Sequence, residues 1–434
     1  MPSVFKRQNS TKINKISSFD HQSLEQCHLI FRLPEIVEQI VQHLIPNTNT
    51  AVLSINSNGN SKIIRPSTKM NQDILPCLYV NWLWHDCVSR YTWRHVSFDD
   101  SKTEYEQFLK FASVISRVPL PNFESNTSNI IAAAALAVAT HPQPLMTTQC
   151  DDDQQQHDLS SIMAKKSDSF QHHHDDPTDE NCKSRILSST YQHRLRSLTL
   201  RKIKERNINE PLQHIGYHAT QLTTLDIYIC DYVTNAALYP FLEHGQLTYL
   251  SLAGCQRITD EAIIQVANKC PGLEHLDLRA CGNVSDASIG QIALCCRRLR
   301  HLNVGRVRDR QNITDQSIQL IATHTQVAVL GLAGCDVSDT SLTLLARERK
   351  EGIERISINN CYKVSNQTIL AYARHCPRLS VFEMKECHHI HDWDAVAQLV
   401  RRKVLLTLCD QQSRACNEWA KRHGIVLDVK APVK

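Results

Sequence analysis

The residues best equipped for chemistry in this chain are its 17 cysteines and 22 histidines. Thiolates and imidazoles act as nucleophiles, metal ligands or redox pairs, and the spacing of such residues says which. Six cysteines fall into register: Cys230, Cys255, Cys281, Cys335, Cys361 and Cys387 each stand eight residues after the apolar residue that opens a repeated segment. Cys270, Cys296 and Cys376 recur at a second point of the same cycle. A residue that returns once per structural unit has a packing role: a small inward side chain whose thiol meets loop backbone groups that would otherwise be orphaned. The beginning of the chain is basic and polar, without the apolar core of a secretory signal, so these thiols are expected to be reduced.

The histidines offer two clusters. Cys387-His388-His389-Ile390-His391-Asp392 has the composition of a metal site, but Cys387 and Ile390 occupy regular repeat positions and would point inward, leaving the histidines on a loop. The run His172 to His174 lies with Asp151 to Asp153, Asp175 and Asp176 in a polar stretch that fixes no ligand geometry. There is no CxxC pair, Gly-rich phosphate loop, GxSxG elbow or HExxH motif. No catalytic residue, metal or cofactor is therefore expected, and the chain reads as a non-enzymatic protein.

The elements that position these residues come from an internal repeat of about 26 residues. LTYLSLAGCQRITDEAIIQVANKCPG begins at Leu247, LEHLDLRACGNVSDASIGQIALCCRR at Leu273 and IERISINNCYKVSNQTILAYARHCPR at Ile353. Weaker copies begin at Leu195, Leu222, Leu299, Val327 and Leu379. Each opens with LxxLxL, whose last apolar positions alternate as in a short half-buried strand. A turn such as Ile258-Thr259-Asp260 follows, then a helical stretch such as Ala262, Ile263, Val266 and Ala267. One such unit buries too little to repay the entropy of ordering it, so neighbours must stack. The expected fold is α/β: a curved solenoid with a parallel sheet inside and helices outside. The Leu299 copy has Val307 in the cysteine slot and a longer loop, so it is expected to be irregular.

Strand alternation then places the residues flanking the buried positions on the concave face. One row reads Asp226, Ser251, Asp277, Asn303, Gly331, Ser357 and Glu383, and its neighbour Tyr228, Ala253, Arg279, Gly305, Ala333, Asn359 and Lys385. Aromatic and Arg side chains are the usual interface anchors. The candidate partner-binding set is accordingly Asp226, Tyr228, Tyr249, Asp277, Arg279 and Asn303, with the loop arginines Arg306, Arg308 and Arg310.

Upstream, LPEIVEQIVQHL starts a helix at Pro34, with Ile36, Ile40 and Leu44 on one face and Val37 and Val41 beside them. After a polar insert at 46–73, Leu75, Leu78, Val80, Trp84 and Trp93 suggest further short helices. The opening LPEI, the segment Leu78-x-Val80-Asn81-x-x-Trp84 and the later Trp93-Arg94 resemble the F-box, and the repeats resemble the cysteine-containing leucine-rich repeats of F-box proteins. The pairing is similar to the fungal antagonist-of-mitotic-exit-network family. That resemblance implies a substrate receptor of a cullin-RING ubiquitin ligase, with the F-box on the ligase adaptor and the repeats on a protein target. It also implies cell-cycle control, including inhibition of a mitotic-exit small GTPase. The adaptor-binding candidates are Leu33, Pro34, Ile36, Val37, Ile40, Leu44, Leu78, Val80 and Trp84. The other readings are a scaffold or inhibitor that occupies its partner while the helical module only caps the solenoid, and, far behind, a thiol enzyme or metalloenzyme.

The expected organisation is a disordered basic tail at 1–30, the helical module at 31–98, linking helices at 99–140, a disordered acidic, His- and Gln-rich segment at 141–190, repeats at 191–410 and a cap at 411–434. A formal net charge of +4 is too weak to imply nucleic acid, and no stretch approaches the roughly 18 apolar residues of a membrane span. A cytoplasmic and nuclear location follows as an expectation.

Overall fold

The structure, a computed structural model, describes residues 34–44, 52–55, 61–64, 82–100, 102–116 and 191–432. The chain divides into two compact units, 1–88 and 89–434. The expectations for 1–30 and 141–190 lie outside the described residues.

In the first unit a helix runs from Pro34 to Leu44. Its Val37 and Val41 are fully buried, with Ile36 and Ile40 half-buried beside them, as one-face spacing requires. The polar insert holds a hairpin: β1 (Val52–Ile55) pairs antiparallel with β2 (Ser61–Ile64). A further helix starts at Trp82 and reaches Thr92, and along it Trp84, Cys87 and Val88 are buried.

The second unit is one parallel sheet of ten strands in chain order. They are β3 (His95–Phe98), β4 (Ser197–Arg201), β5 (Thr224–Tyr228), β6 (Tyr249–Ser251), β7 (His275–Asp277), β8 (His301–Asn303), β9 (Val329–Gly331), β10 (Arg355–Ser357), β11 (Val381–Glu383) and β12 (Leu405–Thr407). A helix follows each strand, from Lys102–Ser116 after β3 to Asp410–Arg422 after β12. Strands sit ~4.8 Å apart and helices about 8–10 Å apart, so the stack must bend with its sheet on the inside. This is the leucine-rich-repeat solenoid read from the sequence.

It is longer than eight copies at both ends. Trp93 was assigned to the helical module, but it stacks on Tyr191 at 4.0 Å, and the strand behind it pairs with β4 in register His95↔Ser197 to Phe98↔Leu200. Lys102–Ser116, expected as a linking helix, supplies that unit's outer layer, with Phe108, Phe111, Ala112 and Ile115 buried in the common core. At the other end β12 lies within the expected repeats and the helix Asp410–Arg422, expected as a cap, completes a tenth unit with it, Gln412 donating to the carbonyls of Met384 and Cys387, both at 3.1 Å.

Two ladders of polar contacts tie neighbouring units. The thirteen described cysteines carry free thiols, and those of the repeated slot are fully buried. From Cys255 onward the slot thiols reach back one unit, as with Cys281 Sγ to Leu252 O at 3.1 Å, Cys361 Sγ to Leu332 O at 3.2 Å and Cys387 Sγ to Ile358 O at 3.0 Å, whereas Cys230 Sγ bonds Tyr228 O of its own unit. Burial pushes these thiols up, Cys281 to about 12 and Cys387 to about 11, so they stay protonated donors and are poor nucleophiles.

The second ladder uses the first residue of successive helices, from the one that starts at Asn209 to the one that starts at Asn366. Asp260, Asp286, Asp315 and Asp339 accept from the backbone N–H and hydroxyl of the next unit's Ser285, Thr314, Ser338 and Ser365, at 2.5–2.9 Å. Those Ser and Thr residues are themselves the N-caps of the following helices. Asn209, Asn235 and Asn366 take the same position in other units.

Candidate functional site

The sheet brings six of the nine partner-binding candidates onto four adjacent strands. Asp226 on β5, Asp277 on β7 and Asn303 on β8 share one row, since Asp226 pairs in register with Ser251, Ser251 with Asp277 and Asp277 with Asn303. Tyr249 opens β6, and Tyr228 and Arg279 stand at the downstream ends.

Most charges on this face are already fixed by a neighbour. Arg279 clamps Asp277, with Nε at 3.0 and 2.9 Å from the two carboxylate oxygens and Nη2 at 2.6 Å from Oδ2. The carboxylate is nearly buried while Arg279 stays half exposed, so the pair offers the donor side to a partner. Hydrogen bonding to Asp277 holds the Arg279 guanidinium above its usual range. Arg201 bonds Asp226 at 3.1 Å and lies 6.0 Å over the Tyr228 ring. Arg355 is paired with Glu383 farther along. An interface whose ion pairs exist before binding loses less entropy on forming.

Between them runs a row that alternation arguments passed over. Tyr249, His275 and His301 stand in register on β6, β7 and β8 with rings stacked at 4.0 and 3.9 Å. Burial, then the neighbouring His301, lower His275 to about 4, and burial lowers His301 too, so both imidazoles are neutral at physiological pH. Burial, with Asp226 and Asp277 adding to it, raises the Tyr249 phenol. The signal was present in the sequence: His-Leu-Asp and His-Leu-Asn recur 26 residues apart, at 275 and 301, one place before the buried Leu.

The loop arginines do not form the expected surface cluster. Arg306 is buried, its Nε donating to Val304 O at 3.2 Å and its Nη1 to Val284 O at 3.1 Å and Asp309 O at 3.3 Å. The cause is a displaced turn. In regular units the residue before the cysteine is left-handed, as at Ala280 and Asn360, and swings the next side chain inward. In the Leu299 unit the left-handed residue is Asp309, so Arg306 points in and Val307, 85% exposed, points out. Gly334 is required opposite, because a Cβ there would meet Arg306 O at 2.0 Å. Arg308 is exposed on this loop, whereas Arg310 bends to the next edge, bonding Asn360 O at 3.1 Å and lying 5.6 Å over Tyr362.

Of the adaptor-binding candidates, Leu33, Leu78 and Val80 lie outside the described residues. Pro34 and Leu44 begin and end the first helix, Val37 and Trp84 are buried, and Ile36 and Ile40 are half-buried. His388, His389 and His391 are exposed on an edge loop, where His391 N–H and Asp392 N–H bond Asn366 Oδ1 and Asp392 caps the helix Trp393–Arg401. Among the described residues no group of three His, Cys, Asp or Glu side chains is placed to hold a metal ion, and no helix is long and apolar enough to cross a membrane.

No protein-family model matches the chain. Among curated proteins it is similar to "Antagonist of mitotic exit network protein 1" of Eremothecium gossypii, 35% identical over 220 residues, which cover 49% of this chain and 55% of the relative. The protein of that name from Candida glabrata is 28% identical over 414 residues, covering 93% of this chain and 64% of the relative. The Yarrowia lipolytica protein is 40% identical over 183 residues, 42% of this chain and 25% of the relative. The chain thus spans less than two thirds of each of these relatives. Among solved structures, a chain of the yeast Rad7 and Elc1 complex covers 55% of this chain at 17% identity and a TM-score of 0.41.

Proposed function

We propose that this chain is a non-enzymatic adaptor in cell-cycle control that holds a protein partner on the sheet face between β4 and β8. The observation that carries the reading is the patch itself: three stacked rings, Tyr249, His275 and His301, flanked by Tyr228 and by arginines already held against carboxylates. Rigid aromatic and Arg side chains on a preorganised sheet are the components of binding hot spots. The names of the similar proteins support a role in mitotic exit.

The finer reading is a substrate receptor of a cullin-RING ubiquitin ligase acting in the cytoplasm and nucleus. Its support is the resemblance of the LPEI start and the Val80 to Trp84 segment to an F-box, with Leu33, Pro34, Ile36, Ile40 and Val80 as the adaptor-facing set around the buried Trp84. The second reading, a scaffold or inhibitor that sequesters a partner such as a mitotic-exit small GTPase, is favoured by the word antagonist in the relatives' names. Affinity purification with mass spectrometry separates the two. Recovery of a ligase adaptor and cullin with the intact chain, lost on Leu33→Ala with Pro34→Ala, supports the receptor. A target recovered with no adaptor supports sequestration. Tyr228→Ala with Arg279→Ala should weaken target binding at least tenfold, since truncating an anchor costs about 2 kcal/mol or more. Undiminished target recovery by that folded double variant would refute the sheet-face assignment.

A further inference from the structure

Because every strand is parallel and every helix returns against it, the helix C-termini and strand starts share one edge of the solenoid. Arg297, Arg298, Arg300, Arg347, Arg374 and Arg378 lie along this edge, all exposed, and none has an ion-pair partner among the described residues. Cations in a last helical turn complement the helix dipole, which accounts for Arg347 and Arg374. It does not account for Arg297, Arg298, Arg300 and Arg378, which follow the helices Asp286–Cys295 and Asn366–His375 and precede the next strands. Nor does the fold demand them, since the matching places one unit earlier are Pro271, Gly272 and Glu274.

We propose that this edge binds an extended Asp/Glu-rich segment of a protein partner. From β8 to β11 the edge crosses three strand spacings of ~4.8 Å on its sheet side and three helix spacings of about 8–10 Å on its outer side. The cations therefore span roughly 14–30 Å, the length of about 5–9 residues of extended chain. A peptide fits better than a nucleic acid for two reasons. Glu348, Glu351 and Glu354 are interspersed with the arginines and would repel an unbroken phosphate backbone, whereas a peptide can place a neutral residue opposite them. The arginines also lack the interleaved aromatic rings on which bases stack. The surface is separate from the sheet face and does not depend on it.

The test uses the full chain and a fluorescein-labelled peptide of repeating Asp-Glu-Ser, followed by anisotropy at about 50 and 300 mM salt. Binding should weaken with salt and fall at least tenfold in the Arg298→Glu, Arg300→Glu, Arg378→Glu variant. The variant Arg206→Glu, Arg257→Glu, Lys363→Glu, on the opposite edge, should bind as before. The same three edge sites changed to Gln should show an intermediate loss at an unchanged melting temperature, which separates lost binding from lost folding. Equal loss in both charge-reversed variants, or none in either, overturns the proposal. Tighter binding of a charge-matched single-stranded oligonucleotide through the same arginines overturns it in favour of nucleic acid. A gain in peptide affinity on changing Asp151, Asp152 and Asp153 to Asn overturns it in favour of the chain's own acidic run as occupant.

Discussion

Replacing Asp339 by Ala removes one rung of the carboxylate ladder and should destabilise the solenoid far more than a surface charge would. Its Oδ1 accepts from Ser365 N at 2.9 Å, Thr368 N at 3.2 Å and Thr368 Oγ1 at 2.6 Å, and its Oδ2 from Ser365 Oγ at 2.6 Å. A hydrogen bond to a charged group contributes about 1.5–3 kcal/mol. The half-buried Ser365 hydroxyl can turn to water whereas that of the fully buried Thr368 cannot, and Thr368 N keeps Ser365 O at 3.2 Å, so the four contacts do not add. The unreplaced loss is the Ser365 N–H plus part of the hydroxyl bonding, about 2–4 kcal/mol. With about 2 cal/mol/K of unfolding entropy per residue over an array of this size, that is a fall in melting temperature of about 4–7 °C. Asp339→Asn should cost only about 1 kcal/mol, because Asn235 already serves the same place, accepting from Thr259 N at 3.1 Å and donating to Thr259 Oγ1 at 2.7 Å. Urea unfolding followed by circular dichroism reads both, with exposed Glu348→Ala as control. A cost below about 0.5 kcal/mol for Asp339→Ala, or an equal cost for the control, would refute the ladder as a source of cohesion between units.

Two further outcomes follow from buried groups. Tyr372 is fully buried with a hydroxyl that has no hydrogen-bond partner among the described residues, where neighbouring units carry Ile321 and Leu345, so Tyr372→Phe should stabilise by about 1 kcal/mol. A clear loss of stability in that variant would mean that the hydroxyl has a partner after all. His275 is lowered from 6.5 to about 4 by burial and then by His301, opposed by Asp277 and reinforced by Arg279. Both folded and unfolded chains keep it neutral above pH 6.5; between there and pH 4 only the unfolded chain protonates it, so stability should fall as pH drops through that window. His275→Phe, which keeps a ring between Tyr249 and His301, should flatten the decline in urea midpoint between pH 7.5 and pH 5, and an unchanged slope would exclude His275 as its source.

The repeat was legible because its evidence is local to each copy. LxxLxL alternation, the cysteine eight places on and the helical spacing after it recur every 26 residues, and a buried role repeated with the unit needs no knowledge of the neighbour. Strand alternation likewise placed Asp226, Tyr228, Asp277, Arg279 and Asn303 on one face. What escaped depends on which segments become neighbours. Trp93 to Ser116 has no copy at the repeat distance, since the next unit starts near Tyr191, and only pairing of β3 with β4 reveals it as a repeat. The Asp339 to Ser365 rung joins residues 26 apart whose types are ordinary for a helix start, and contact alone turns them into a ladder. The Tyr249, His275 and His301 stack exists only because parallel pairing sets equivalent positions one strand spacing apart. Arg306 is the clearest case: composition put it in a basic loop, but the left-handed turn falls at Asp309 instead of beside the cysteine slot, and that shift in backbone geometry sends its guanidinium into the core.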